Sequence, residues 1–164
     1  MAETTEVGLF RKHYRRAKEL YEGGRLAEAQ SHLEEACLLR PRELKILNLL
    51  GLIYFKREKL NKAEEVYRKL VTERPETHTL HYNLGMIYLK LERLNDAERS
   101  FLRALELTGE NPKINFYLGT IYEQQGRLQD SIYQYRHAGA NVMVRRVASQ
   151  IGKSSHRHFC SISR

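Results

Sequence analysis

Two histidine groups are the places in this chain where metal chemistry is conceivable. His78 and His81 stand at i and i+3, a spacing that sets two imidazoles on one helix face within reach of one ion. His156-Arg157-His158-Phe159-Cys160 brings three possible ligands into five residues, with no second cluster or acid to close the coordination shell. Cys37 follows Ala36 in a helical stretch and reads as a small core or half-buried residue. Cys37 and Cys160 lie too far apart in sequence to suggest a disulfide framework or a zinc cluster, and they fit a reducing, cytoplasmic compartment. Carboxylates are plentiful but recur at helical spacing beside lysines, as solvated faces do. Glycine-rich phosphate loops, Gly-x-Ser-x-Gly and His-Glu-x-x-His are all absent. The expectation is a non-catalytic protein with no cofactor and no metal site.

The elements that would position such residues follow from charge and periodicity. The 164 residues carry 28 basic and 20 acidic side chains, a net charge of +8. Residues 141–164 hold five basic residues and no acid, and residues 10–18 hold another five and no acid. The stretch between them is balanced. A neutral body with two basic ends argues against a nucleic-acid partner, which would favour a uniformly basic face. No apolar run approaches the roughly 20 residues of a membrane span. Met1 to Leu9 has two glutamates and no apolar stretch, so it does not read as a secretory signal.

Self-comparison exposes an internal repeat. Leu50-Gly51-Leu52-Ile53-Tyr54 aligns with Leu84-Gly85-Met86-Ile87-Tyr88 and with Leu118-Gly119-Thr120-Ile121-Tyr122, at a period of 34 residues. The same register carries Leu26, Leu60, Leu94 and Leu128, then Ala29, Ala63, Ala97 and Ser131, then Leu33, Tyr67, Phe101 and Tyr135. Each unit holds two stretches with apolar residues at i, i+3, i+4 and i+7, split by Gly24-Arg25, Glu58-Lys59, Glu92-Arg93 or Gly126-Arg127. That is helix–turn–helix. Asn61 with Glu64 and Asn95 with Glu98 read as capping boxes for the second helices. Asn111-Pro112 reads as an N-cap with proline at the first helical position. A glycine inside a helix costs about 1 kcal/mol against alanine, so Gly51, Gly85 and Gly119 in register imply close helix packing. Met143, Val147 and Ile151 recur every four residues and predict a capping helix over 142–151. Residues 1–9 are expected to be an extension and 152–164 a basic, flexible tail.

These columns resemble the tetratricopeptide repeat family, whose pattern wants Leu-Gly at repeat positions 7 and 8, Tyr at 11, Ala at 20, an aromatic at 24, Ala at 27 and Pro at 32. The repeats would run 10–43, 44–77, 78–111 and 112–145. The second fits best, with Leu47, Leu50, Gly51, Tyr54, Ala63, Tyr67, Leu70 and Pro75 in place. The resemblance implies an all-α, right-handed solenoid of helix–turn–helix repeats with a C-terminal capping helix. It puts His81 in the apolar position-4 column, so a packed ring is expected there in place of a metal ligand.

The resemblance also implies a concave groove lined by the first helix of each repeat at positions 2, 5, 9, 12 and 13. Carried over, those positions give Arg11, Tyr14, Lys18 and Tyr21, then Lys45, Asn48, Leu52, Phe55 and Lys56. The third repeat gives Thr79, Tyr82, Met86, Leu89 and Lys90, and the fourth Lys113, Phe116, Thr120 and Glu123. An apolar and aromatic strip edged by lysines suits a peptide or protein partner with apolar and acidic residues. Family members that grip a C-terminal carboxylate use a clamp of Lys, Asn and Arg. Asn83 and Lys113 match it, but Leu52 and Tyr117 break it, so a chaperone-tail adaptor is disfavoured. The expected function is a binding scaffold. The alternative is an N-terminal repeat module of a larger protein whose activity lies beyond residue 164. Self-association through the solenoid ends is a further possibility.

Overall fold

Amphipathic stretches of 34-residue period fold as antiparallel hairpins. A computed structural model of the protein describes residues 2–161, with side chains over residues 6–152. The helices are α1 (Ala2–Glu22), α2 (Leu26–Leu39), α3 (Leu44–Lys56), α4 (Leu60–Glu73), α5 (His78–Lys90), α6 (Leu94–Thr108), α7 (Pro112–Gln124), α8 (Leu128–His137) and α9 (Asn141–Ser161). The main contacts join consecutive helices, as expected of a solenoid in which each hairpin can bury its apolar face only against its neighbours. The buried core runs unbroken from Ala17 to Tyr122, and a smaller cluster of Ile132, Tyr135 and Val147 closes the C-terminal end.

Each hairpin is closed by the same three-residue turn. In the first, Arg25 N–H donates to Leu20 O at 2.8 Å, and Gly24 sits at φ 75°. Gly126 repeats this at φ 75°, whereas Glu58 and Glu92 take φ 57° and 58°, a conformation that costs a residue with a Cβ about 1–2 kcal/mol.

The glycines in the Leu-Gly columns have the packing role their register implies. A Cβ on Gly51 would stand 2.8 Å from the Tyr67 ring, on Gly85 3.0 Å from Phe101, and on Gly119 2.7 Å from Tyr135. The aromatic column of each second helix therefore lies directly on the glycine of its first helix. In the first repeat the same two columns hold Ala17 and Leu33, both fully buried.

Several local expectations change. Asn61 with Glu64 and Asn95 with Glu98 do not cap. α4 starts at Leu60 behind Lys59 and α6 at Leu94 behind Arg93, and neither N-cap side chain makes a capping hydrogen bond. The tight turn starts each helix ahead of the asparagine, and both glutamates are drawn to the following repeat. Asn111 does cap α7, accepting from the Lys113 N–H at 3.1 Å and the Ile114 N–H at 3.2 Å, with Pro112 behind it.

Helix α8 has only 10 residues, against 14 or 15 for α2, α4 and α6, because Gly139 turns the chain at φ 68°. α9 then lays Met143, Val144, Val147 and Ile151 beside Ile132 and Tyr135. Backbone helix also covers residues 2–9, expected as an extension, and continues through 152–161, expected as a flexible tail. No proline interrupts either stretch, and a single Gly8 or Gly152 is a modest penalty inside a helix. Residues 162–164 of that tail lie outside the described residues.

Candidate functional site

Helices α1, α3, α5 and α7, the first helix of each hairpin, supply the candidate groove. Its aromatic and apolar residues are half-buried: Tyr14, Tyr21, Leu52, Phe55, Tyr82, Met86, Leu89 and Phe116 all pack against the core while keeping a solvent face. Lys18, Lys45, Lys56, Lys90 and Lys113 are exposed. At the third and fourth repeats the rings form a continuous set. Tyr82 stands edge-on to Phe101 at 5.8 Å and to Tyr117 at 6.1 Å, and Tyr117 stacks on Phe101 at 5.3 Å. Phe116 meets Tyr117 at 6.1 Å and Tyr135 at 5.5 Å, so it links the groove to the cluster under α9. Burial, reinforced by a hydrogen bond with Tyr117, pushes the Tyr82 phenol up to about 12. It therefore stays neutral in any physiological solution.

The cations of the groove fall into two edges. Near the C-terminal ends of α3 and α5, Lys56 lies 4.4 Å from the Tyr21 ring centre and Lys90 lies 5.4 Å from that of Phe55. Lys90 is also paired with Glu58 at 2.5 Å. These lysines cover the aromatic strip and tie one repeat to the next. The opposite edge differs. Arg11, Lys45 and Lys113 share one repeat column, are exposed, and have no ionic partner among the described residues. α5 and α7 carry no acid at the N-cap or in the first turn, so their N-terminal dipole ends add to the positive potential of that edge, whereas Glu43 stands at the N-cap of α3.

Some expected groove residues serve the fold. Asn48 accepts from the Tyr67 hydroxyl at 3.3 Å, and Asn83 donates to that same hydroxyl at 3.0 Å, which joins α3, α4 and α5. Thr120 contacts the Tyr135 hydroxyl at 3.2 Å, and Glu123 accepts from Tyr135 at 3.0 Å and from Arg146 at 2.6 Å. Arg146 is therefore tied to α7 and is not a free basic end. Of the clamp positions, Asn83 is thus engaged with Tyr67, and Tyr117 is stacked on Phe101. His81 is buried, and its Nε2 lies 2.7 Å from the Pro75 carbonyl, to which it donates; His78 is exposed. Three potential metal ligands that do converge are His13, His32 and Glu35, between α1 and α2.

Sequence reading missed an inter-repeat ladder. Arg93 donates to Glu64 at 2.9 Å and to Asp96 at 2.7 Å while lying 4.6 Å over Tyr88. Arg127 repeats this with Glu98 at 2.9 Å, Asp130 at 2.9 Å and Tyr122 at 4.0 Å. The signal was present as two columns of opposite charge, Arg93 and Arg127 against Glu64 and Glu98, offset by 29 residues.

A family model described as tetratricopeptide repeat matches residues 14–77 and 82–141. The chain belongs to the tetratricopeptide repeat family. Such a repeat is in general a protein-interaction scaffold and typically a non-catalytic one. No curated protein matches this tetratricopeptide repeat protein in sequence. Among solved structures it is similar to MamA from strain AMB-1, with a TM-score of 0.72 and 23% identity over 78% of this chain and 70% of that chain. MamA from Desulfovibrio magneticus RS-1 gives 0.72 and 20% over 84% and 76%. A tetratricopeptide repeat protein from Parabacteroides merdae gives 0.74 and 18% over 79% and 52%. At these identities the likeness is one of fold. Among the described residues no helix is long and apolar enough to cross a membrane.

Proposed function

We propose that the concave face formed by α1, α3, α5 and α7 holds a segment of a partner protein, without catalysis. The observation that carries this reading is the half-exposed aromatic strip Tyr21, Phe55 and Tyr82 on the first helices, whose opposite edge holds the exposed cations Arg11, Lys45 and Lys113 with no ionic partner among the described residues. Aromatic side chains bring large contact area at small entropic cost, and they concentrate binding energy where water is excluded. The cationic edge selects acidic residues on the ligand and steers its approach. The ligand is therefore an extended or helical segment with apolar anchors on one side and carboxylates on the other.

Selection from a random peptide library displayed on phage, followed by fluorescence anisotropy on the selected peptides, tests this. The expected peptides combine aromatic or aliphatic residues with Asp or Glu, and Tyr82→Ala weakens them by about tenfold or more. Selected peptides that lack acids, or that bind Tyr82→Ala and Phe55→Ala as tightly as the parent, would contradict the groove.

A further inference from the structure

We propose that His13, His32 and Glu35 form a binding site for a divalent transition-metal ion of the zinc class, which ties α1 to α2. His13 Nδ1 lies 2.7 Å from Glu35 Oε2 and 3.1 Å from His32 Nδ1, and His32 Nδ1 lies 3.8 Å from the same carboxylate oxygen. The three ligand atoms thus form a triangle. Around a tetrahedral Zn²⁺ with bonds of about 2.0–2.1 Å, neighbouring ligand atoms stand about 3.3 Å apart. The triangle is close to one face of such a tetrahedron and needs movements of about half an ångström to match it.

Hydrogen bonding accounts poorly for this convergence. A neutral imidazole nitrogen carries one proton or one lone pair. If the His13 Nδ1–H points to Glu35, His13 has no lone pair there to receive His32. If it points to His32, the carboxylate at 2.7 Å faces a nitrogen with nothing to offer it. A proton shared between both serves each weakly. A dication at the centre lets both ring lone pairs and the carboxylate point inward together.

The setting suits an exchangeable ion. The His13 side chain is 18% exposed and that of His32 35%, so the rings are held by packing while Glu35, at 56%, closes the set from the solvent side. Both rings border a cavity of about 280 Å³ together with Lys12, Arg15, Arg16 and Glu19. That opening is the path of entry, and it leaves a fourth coordination position for water or an anion. Arg16 donates to Glu19 at 3.0 Å and Arg15 stands 4.0 Å from it, which moderates the repulsion these arginines exert on a cation. Two imidazoles with one carboxylate favour zinc and its neighbours over magnesium or calcium, which prefer oxygen alone.

Calorimetric titration of the metal-free full chain with ZnCl₂, with Co²⁺ absorption as a coordination reporter, tests the site. One equivalent is expected to bind with a micromolar or tighter dissociation constant and to raise the Tm. His32→Ala and Glu35→Gln, whose helicity is checked by circular dichroism, should each weaken binding by about tenfold or more and remove the Tm increase. A triple variant, His156→Ala with His158→Ala and Cys160→Ser, should bind as the parent does. Loss of binding in the triple variant alone, undiminished binding in both His32→Ala and Glu35→Gln, or no saturable uptake by the parent would each overturn the proposal.

Discussion

The interface between the first and second repeats uses the same columns as that between the third and fourth, yet different chemistry holds it. At the later interface, Arg127 binds the Glu98 carboxylate and lies on Tyr122, and the Glu98 side chain keeps only 18% exposure. At the earlier one those columns hold Lys59, Gln30 and Tyr54. Gln30 is neutral, and it accepts from Lys59 at 3.1 Å and from Arg57 at 2.5 Å. The small-against-large packing differs in parallel: glycine lies under an aromatic ring in the last three repeats, whereas the first pairs Ala17 with Leu33. The backbone geometry of the repeat is thus specified by side-chain volume, and the polar links are variable additions. The N-terminal hairpin has a neutral amide in place of the carboxylate of the later links, and it is there that His13, His32 and Glu35 meet.

The two ends also differ, and removing α9 would make them alike. α1 presents exposed Arg15 and Arg16, whereas α8 depends on α9 to cover Ile132 and Tyr135. Truncation before Asn141 is expected to cost about 3–5 kcal/mol, because several apolar side chains lose their burial together. Urea denaturation of the truncated and full chains measures it. Equal midpoints would show that the C-terminal end needs no cover.

Next in size is the volume rule. Gly51→Ala puts a Cβ at 2.8 Å from the Tyr67 ring and should destabilise by about 2–3 kcal/mol, whereas Ala17→Gly in the matching column should cost about 1 kcal/mol. Comparable losses in the same denaturation series would refute the pairing of glycine with an aromatic ring. Ser131 sharpens the comparison from the other side. It replaces the alanine of the Ala29, Ala63 and Ala97 column, and its hydroxyl is buried without a hydrogen-bond partner among the described residues. Ser131→Ala is expected to stabilise the fold by about 1 kcal/mol, read as a raised Tm.

The smallest stability effect belongs to the ladder, and it carries a pH signature. Burial pushes the Glu98 carboxyl up, but hydrogen bonds from Gln125, Arg127 and Tyr122 together outweigh it and hold the group below its ordinary value of 4.5. The Arg93 hydrogen bond likewise holds Asp96 below its ordinary 3.8 against the opposing effect of burial. A carboxyl lowered in the folded state contributes its full stability above the ordinary value and loses it as pH falls through the lowered one. Glu98→Gln should therefore flatten the acid limb of a Tm-against-pH curve below about pH 4.5 relative to the parent. Identical limbs would mean the ladder adds nothing to stability.

The parts of the fold that follow from local periodicity were legible in the residues. The 34-residue register marked the hairpins, the in-register glycines and the run of Met143, Val147 and Ile151. The Asn61 and Asn95 boxes misled because a capping motif is read within four residues, whereas Glu64 and Glu98 are recruited by arginines 29 residues away. The repeat columns put Tyr82 and Phe55 on the first helices of their repeats, but did not show that Lys56 and Lys90 lie over neighbouring rings, which depends on the spacing between repeats. His13 and His32 are 19 residues apart, and only the closing of the first hairpin brings them together.

The groove is the central claim, and binding kinetics at two salt concentrations test it most directly. With a peptide selected on the parent protein, Tyr82→Ala and Phe55→Ala should raise the dissociation rate by about 5- to 150-fold with little change in association. Lys45→Glu with Lys113→Glu should slow association and flatten its salt dependence. Arg145→Glu, on the exposed face of α9, should change neither. Binding that survives the groove variants and is lost in Arg145→Glu would place the recognition surface on α9 and contradict the account.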